Sequence, residues 1–246
     1  MIVLNEIENL KRSLPSLAFC DEIVIVDSGS TDGSLEYAQS LGCKVYQRDF
    51  DRFGSQKSFA VSQATHDWVF NLDADEWVTP GLARELKTLI ESKTLNGIWI
   101  RSRLVFLKRV FRFGRESRVR VLRVFRKSAG DFDRASVHEK VVIRNPDETT
   151  TRHHILHHSY PNLELYLQKM NRYTTLGATS NSRMPSTRAR LHALLFPIRF
   201  LQFYVQQLNF LNGWEGFCWS LLSTLAYFIK YVKISLLKKP AETPIE

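Results

Sequence analysis

Apolar positions along the chain follow two successive rhythms. Over the first hundred residues, short apolar runs alternate with segments whose leucines recur at helical spacing. Residues 1–4 make a short candidate strand, and Leu10, Leu14 and Leu17 then share one side of a helix that opens at Asn5-Glu6. Residues 22–27 form a β-branched run ending in Asp27, and a small-residue turn leads into a helix over 35–41. A short strand at 44–46 precedes a helix over 53–64 with Gln56 and Lys57 near its start. Residues 68–72 are apolar without Gly or Pro, the pattern of a strand buried on both faces. Thr79 as N-cap and Pro80 in the first turn start a helix that runs to about residue 92. This alternation predicts an α/β fold, a Rossmann-like, mostly parallel sheet with helices on both faces.

From Gly97 the rhythm changes to strands and hairpins through Ile98, Ile100, Leu104, Phe106, Val119, Val121, Val124 and Phe125. Ten basic residues from Arg101 to Arg126 are interleaved with them against the lone Glu116, a density that favours anionic groups over a merely solvated face. Residues 137–141 alternate as a strand would, with His138 and Lys140 on one face and Glu139 on the other. The histidines at 153, 154, 157 and 158 close the compact part, giving an expected division into a catalytic domain, 1–160, and an α-helical region, 161–246. Asn162 caps a helix with an apolar side, and the polar stretch 180–190 reads as a linker. Residues 191–205 and 217–229 are strongly apolar, but Arg199, Glu215 and Lys230 interrupt them below the roughly 20 residues a spanning helix needs. Helices lying in a membrane interface fit better, with Lys230, Lys233, Lys238 and Lys239 meeting anionic head groups.

Charge sharpens this reading. A formal net charge of +9 over 246 residues implies an anionic partner. Hydrophobic content of 44% and charged content of 24% are those of a folded chain. Cys20, Cys43 and Cys218 suggest neither a disulfide framework nor a thiolate zinc site, so a reducing compartment is expected. The first residues have no basic stretch followed by an apolar core, so no secretory signal is read there.

The candidate chemistry gathers at Asp73-Ala74-Asp75-Glu76, immediately after the apolar run at 68–72. Ligands of open α/β sheets bind beyond the carboxyl ends of strands. Carboxylates set one apart there can reach a hard divalent cation whose other ligands are water and phosphate. Simple complementarity to the next helix is a weaker explanation, because that helix has its own start signal several residues downstream. Upstream, Ser28 to Ser34 make a turn rich in glycine and small hydroxyls between strand and helix, the order of a nucleotide-binding βα unit. It has neither the GxGxxG spacing nor a P-loop ending, which counts against a dinucleotide oxidoreductase and a P-loop phosphotransferase.

Taken together, IVIVDSGSTDGS, GSQKSFAVSQATHDWVFNLDADE, VHEKV and LHHS resemble the family 2 glycosyltransferases of the GT-A fold. The nearer resemblance is to bacterial lipopolysaccharide core transferases, the heptose-directed β-glucosyltransferase group. It implies an inverting hexosyltransferase, with glucose as the expected sugar, a UDP-sugar donor, Mg²⁺ or Mn²⁺ as cofactor, and a lipid-linked saccharide acceptor in the lipopolysaccharide inner core. It also implies a cytoplasmic enzyme, peripheral at the inner face of the bacterial inner membrane, with an anionic membrane surface as partner and no nucleic acid. Residue by residue, Asn5 and Glu6 match the turn beside the nucleotide, and Asp27 and Ser28 the pair at base and ribose, where many relatives have a second Asp in place of Ser28. Lys57 matches a position near base or phosphate. Asp73 and Asp75 match the DXD signature, Asp73 nearer the ribose and Asp75 on the metal, and His157, ahead of His158, the histidine closing the metal site. Glu139 matches the acceptor-activating base, with Asp131 and Asp133 next in line. One carboxylate suffices for a single inverting displacement, whereas a hydrolase needs two flanking the glycosidic bond. The competing readings are a family 2 transferase acting on a polyprenyl phosphate carrier, a nucleotidyltransferase of similar fold, and a basic nucleic-acid-binding protein. The acidic motif and the apolar tail fit the last of these poorly.

Overall fold

A computed structural model describes residues 1–92, 94–133 and 140–237. The chain divides into two compact units, Met1–Leu104 with Arg118–His158, and Val105–Ser117 with Ser159–Glu246. The hairpin segment Val105–Ser117 therefore groups with the C-terminal helices, although it lies inside the expected catalytic stretch 1–160.

The first unit is built as the alternation predicts. β1 (Ile2–Val3), β2 (Val24–Asp27) and β3 (Lys44–Gln47) pair in parallel, with Ile2 opposite Val26 and Val26 opposite Tyr46. Between them run α1 (Ile7–Ser13) and α2 (Ser34–Ser40), and α3 (Phe53–Gln63) follows β3. Leu10, Leu14 and Leu17 are buried against Ile25 and Val3, as their helical spacing requires. The second sheet runs in the order β4 (Trp68–Phe70), β8 (Val119–Arg126), β6 (Gly97–Phe106), β11 (Glu148–Tyr160), β5 (Glu76–Val78). The pairs β4–β8, β6–β8 and β5–β11 are antiparallel, so parallel pairing is concentrated in the first three strands. α4 (Pro80–Ile90) starts where expected, with Thr79 Oγ1 accepting the Leu82 N–H, and packs Leu82 and Leu86 in one core with Ile98, Ile100 and Ile155. Each such leucine adds roughly 1.5–3 kcal/mol by leaving water.

One expectation is corrected. β4 is not buried on both faces, since Trp68, Val69 and Phe70 are each half-buried. The strand ends the sheet order, and it lines an apolar cavity of about 360 Å³ with Phe19, Ile23 and Leu86. A hairpin of β9 (Gly130–Phe132) and β10 (Val141–Ile143) completes the unit, Phe132 packing edge-on to Phe125 above Val61 of α3.

The second unit contains β7 (Arg109–Val110), which pairs with the end of β6, and helices α5 (Leu163–Thr179), α6 (Ser186–Leu194), α7 (Phe196–Leu201) and α8 (Gly213–Leu236). Its core is aromatic, with Phe106, Phe111, Tyr160 and Tyr166 gathered around Trp219. Asn162 caps α5 through the Leu165 N–H. Asn209 and Asn212 are buried, and Asn212 holds the hairpin by accepting the Arg112 N–H and donating to the Phe113 carbonyl. A Cβ on Gly216 would stand 1.9 Å from the Asn209 carbonyl oxygen, so only glycine lets α8 pass there.

Two sequence readings change in this unit. Residues 186–190 are not linker but the first turns of α6, which buries Ala189 and Ala193 on the side away from its polar residues. Lys233 does not stand free for head groups, because its ammonium donates to Asn171, Thr174 and Thr175 of α5. Lys238 and Lys239 lie outside the described residues. No helix among the described residues is long and apolar enough to cross a membrane.

Candidate active site

The site begins where β1 and β2 end. Asp27, buried at the tip of β2, accepts the Gly29 and Ser30 N–H groups at 2.9 Å and the Ser30 hydroxyl, which folds the small-residue turn back on itself. Asn5 takes a left-handed backbone (φ 55°), donates its N–H to Ser30 Oγ at 2.9 Å and accepts the Thr31 N–H at 2.8 Å. Glu6 donates its N–H to Ser34 Oγ at 2.9 Å, and Asp32 accepts the Ile7 N–H at 3.0 Å. Asn5, Glu6 and Asp27 thus form one rigid rim. Ser28 joins it by accepting from Gln56 Nε2 at 3.1 Å, and Gln56 is itself fully buried and held by Arg48.

The next residue on α3, Lys57, points its Nζ at Asp73 Oδ1, 2.9 Å away. The other Asp73 oxygen receives Arg123 at 2.7 Å, and the same guanidinium nitrogen reaches Glu76 Oε1 at 2.6 Å. Glu76 Oε2 accepts the Asp73 N–H at 3.1 Å. Burial opposes the charge on Asp73, but Arg123 and Lys57 outweigh it and hold this carboxyl well below the usual carboxylate range. Burial dominates at Glu76 and raises it above its ordinary value despite Arg123. Both Asp73 oxygens are therefore committed to cations.

Asp75 has a different environment. Antiparallel pairing of β5 with β11 sets His157 opposite Glu76, and His157 Nε2 stands 3.2 Å from Asp75 Oδ2. Burial lowers the imidazole's proton affinity, but its bond to Asp75 and the nearby charges of Asp75, Glu76 and Asp73 raise it overall. His158 turns away, its Nδ1 2.8 Å from Arg12 and its backbone N–H on the Asp75 carbonyl; burial and Arg12 lower its proton affinity. The structure thus brings the Asp75 carboxylate to the His157 ring rather than to that of His158.

A carboxylate oxygen suits Mg²⁺ or Mn²⁺, and an imidazole nitrogen beside it favours the transition ion Mn²⁺ over Mg²⁺. No third His, Cys, Asp or Glu joins them among the described residues, so the remaining ligands would come from diphosphate and water. Asp73, the other acid of the motif expected at the metal, meets Lys57 and Arg123 in the ion-pair cluster. Glu139 lies outside the described residues. Of the two carboxylates next in line, Asp131 accepts from Ser58 at 3.1 Å and Asp133 accepts the Lys140 N–H at 3.0 Å.

Sequence reasoning missed the part played by Arg123. Ile98 faces Val124 and Trp99 faces Leu122, so Arg123 is the extra residue of a β-bulge, a device that re-aims a side chain beside a site. The signal was present in VRVLRVFR, where alternation slips by one position at Leu122-Arg123.

Residues 1–183 match the model of Glycosyl transferase family 2. The lipopolysaccharide core biosynthesis glycosyltransferase LpsC of Rhizobium meliloti is 30% identical over 243 residues, covering 95% of this chain and 90% of LpsC. An uncharacterized glycosyltransferase of Rickettsia typhi is 25% identical over 252 residues, covering 95% and 85%. Among solved structures, S. aureus TarS 1-349 in complex with UDP-GlcNAc matches with a TM-score of 0.47 and 12% identity, covering 95% of this chain and 88% of that one.

Proposed function

From the premise that the chain belongs to glycosyl transferase family 2, we propose that it transfers a hexose, with glucose the first sugar to try, from a UDP-sugar to a lipid-linked saccharide of the lipopolysaccharide core, inverting the anomeric centre. The pairing of Asp75 with His157, two residues past the Asp73 that Lys57 of α3 holds while the neighbouring Gln56 binds Ser28 of the rim, carries this reading. The core acceptor is supported by the name of the relative LpsC, which covers nearly the whole chain.

In this reading the acceptor hydroxyl oxygen attacks C1 of the sugar as the bond from C1 to the UDP oxygen breaks. The hydroxyl proton passes to Glu139, the residue the sequence resemblance puts in that role, and general-base help of this kind contributes typically 10²–10⁴-fold. UDP leaves with the bonding pair. Asp75 and His157 would hold Mg²⁺ or Mn²⁺, which when bound supplies positive charge to the leaving diphosphate. Asp27 and the turn it folds bind base and ribose. Lys57 and Arg123 fix Asp73 at the ribose side, so that it accepts hydrogen bonds without rotating.

The same reading puts the enzyme in the cytoplasm, peripheral at the inner face of the inner membrane. Leu191, Leu194, Ile198, Leu201 and Val205 recur at three- and four-residue steps and are all at least half exposed, from 50% to 75%. Exposed apolar residues repeated on α6, on α7 and just after it are what interfacial helices present to acyl chains. Arg183, Arg188 and Arg190 at the start of this stretch are exposed and would meet phosphates, in place of Lys233.

The test is UDP release by the full chain with UDP-hexoses and truncated lipopolysaccharide. Release should require both acceptor and divalent cation and stop in excess chelator. Asp75→Asn should lower it on the order of 10²–10³-fold, with an unchanged thermal melt. Full activity in chelator overturns the metal assignment, and release without regard to acceptor overturns the transferase reading.

A further inference from the structure

The strands that carry Arg123 and His157 also carry exposed arginines on one face. Arg101 of β6 and Arg120 of β8 are direct cross-strand partners, both exposed. Like charges directly opposite one another destabilise a sheet. Alternation along the strands adds Arg103 two residues from Arg101, and Arg152 of β11 on the face that also carries His154. The arrangement is close enough that burial, together with Arg103 and His153, pushes His154 down to about 4. These three strands contain one acidic residue, Glu148, and it is engaged by the Trp99 indole N–H at 2.7 Å. Among the described residues Arg101, Arg120 and Arg152 form no ion pair.

We propose that Arg101 and Arg120, opposed across β6 and β8, form a subsite for an anionic substituent, phosphate or carboxylate, of the acceptor. The inference rests on the transferase reading and specifies what the acceptor must carry. Arg120 lies three residues from Arg123 on the same strand, about 10 Å at the rise of a β-strand. Two planar forks side by side suit the oxygens of a phosphate or carboxylate, and the bound anion removes the repulsion between them. An acceptor gripped there has one hydroxyl presented to the donor, so the arginines act as specificity determinants rather than catalytic residues.

The experiment uses the full chain with UDP and Mg²⁺ both saturating, so that the donor site is filled, and inorganic phosphate as probe against chloride at equal ionic strength. Phosphate should raise the melting temperature of the unsubstituted chain. In R101Q/R120Q its apparent affinity should fall about tenfold or more, the scale of one charge-assisted contact. The double variant should melt at or above the parent temperature without phosphate, since both side chains are exposed and repel each other. R101K/R120K, which keeps the charge, should retain part of the effect and guards against a folding artefact. An equal phosphate shift in parent and R101Q/R120Q, or none in the parent, overturns the subsite. Loss of binding to phosphatidylglycerol vesicles by R101Q/R120Q also overturns it, by assigning the face to lipid head groups. Failure of the transferase reading is seen separately, as absence of any UDP-induced shift in every variant.

Discussion

In the strand-rich unit Glu76, Lys57 and Arg123 are charged groups held inside around the half-buried Asp73, whereas in the helical unit Leu191, Leu194, Ile198, Leu201 and Trp214 are apolar groups held outside. Each arrangement costs folding free energy in isolation. Buried charge loses hydration, and exposed apolar surface keeps its unfavourable contact with water. The first cost is offset within the unit, because every carboxylate of the cluster meets a cation at 2.6–2.9 Å. The second is not offset by any of the described residues, and that asymmetry teaches where to look for partners. A small donor is received by groups already balanced against one another, while the helices need a large apolar surface brought to them.

The sharpest way to break this comparison is to remove the cation that balances the buried pair. Arg123 is 8% exposed and Glu76 1%. Arg123→Met keeps the volume of the stem but leaves Glu76 without its partner and Asp73 with Lys57 alone. Breaking a buried pair typically costs about 3–5 kcal/mol, and the loss should appear in urea denaturation of the full chain. A loss under about 1 kcal/mol would mean that Glu76 is carried neutral and the cluster is not the balance described here.

How much of this was legible beforehand depends on the range of the interaction. Local features were readable, including the α/β alternation, the Thr79 and Asn162 caps, the turn after Asp27 and the acidic motif, because each is decided within a few residues. The pairing of Asp75 with His157 crosses 82 positions and was reached only through resemblance. Arg123 looked like one basic residue among ten, since its role depends on a bulge and on a partner strand. β4 looked central because its composition is apolar, but composition does not tell a strand with two neighbours from one beside a cavity. The segment 186–190 looked like a linker because its exposed face is polar, and the packing that makes it helical involves only the small Ala189 and Ala193.

A second test sharpens the picture of charge held inside the first unit. Glu22 accepts the Thr65 N–H at 2.9 Å and the Thr65 hydroxyl at 3.0 Å, and pairs with Lys44. Burial opposes its charge, but these partners prevail and bring it down to about 2. Its pKa is depressed in the folded chain, so the stabilisation is fully present above the unfolded value near 4.5 and is lost as pH falls toward 2. The contribution is at most about 3 kcal/mol. Melting temperature between pH 5 and pH 2.5 should fall less steeply in Glu22→Gln than in the parent. Parallel curves would show that Glu22 does not set the acid limit of this unit.

The smallest expected effect probes the other side of the comparison. Trp214 is 69% exposed at the first turn of α8 and stacks on Phe217 at 5.3 Å, so it contributes little to the fold and offers a broad apolar face to whatever approaches. An indole with one face dry and an N–H at its edge suits the boundary between head groups and acyl chains. If the exposed stripe docks on lipid, Trp214→Ala should weaken partitioning into phosphatidylethanolamine–phosphatidylglycerol vesicles about tenfold, or about 1.4 kcal/mol, by partial loss of buried apolar area. Folding stability should change by no more than about 0.5 kcal/mol, as for a surface substitution. The two readouts separate a docking residue from a packing one. A variant that loses stability while keeping vesicle affinity places Trp214 in the aromatic core. A parent chain that ignores such vesicles at low salt removes the membrane from the reading, and the stripe then belongs to a protein interface.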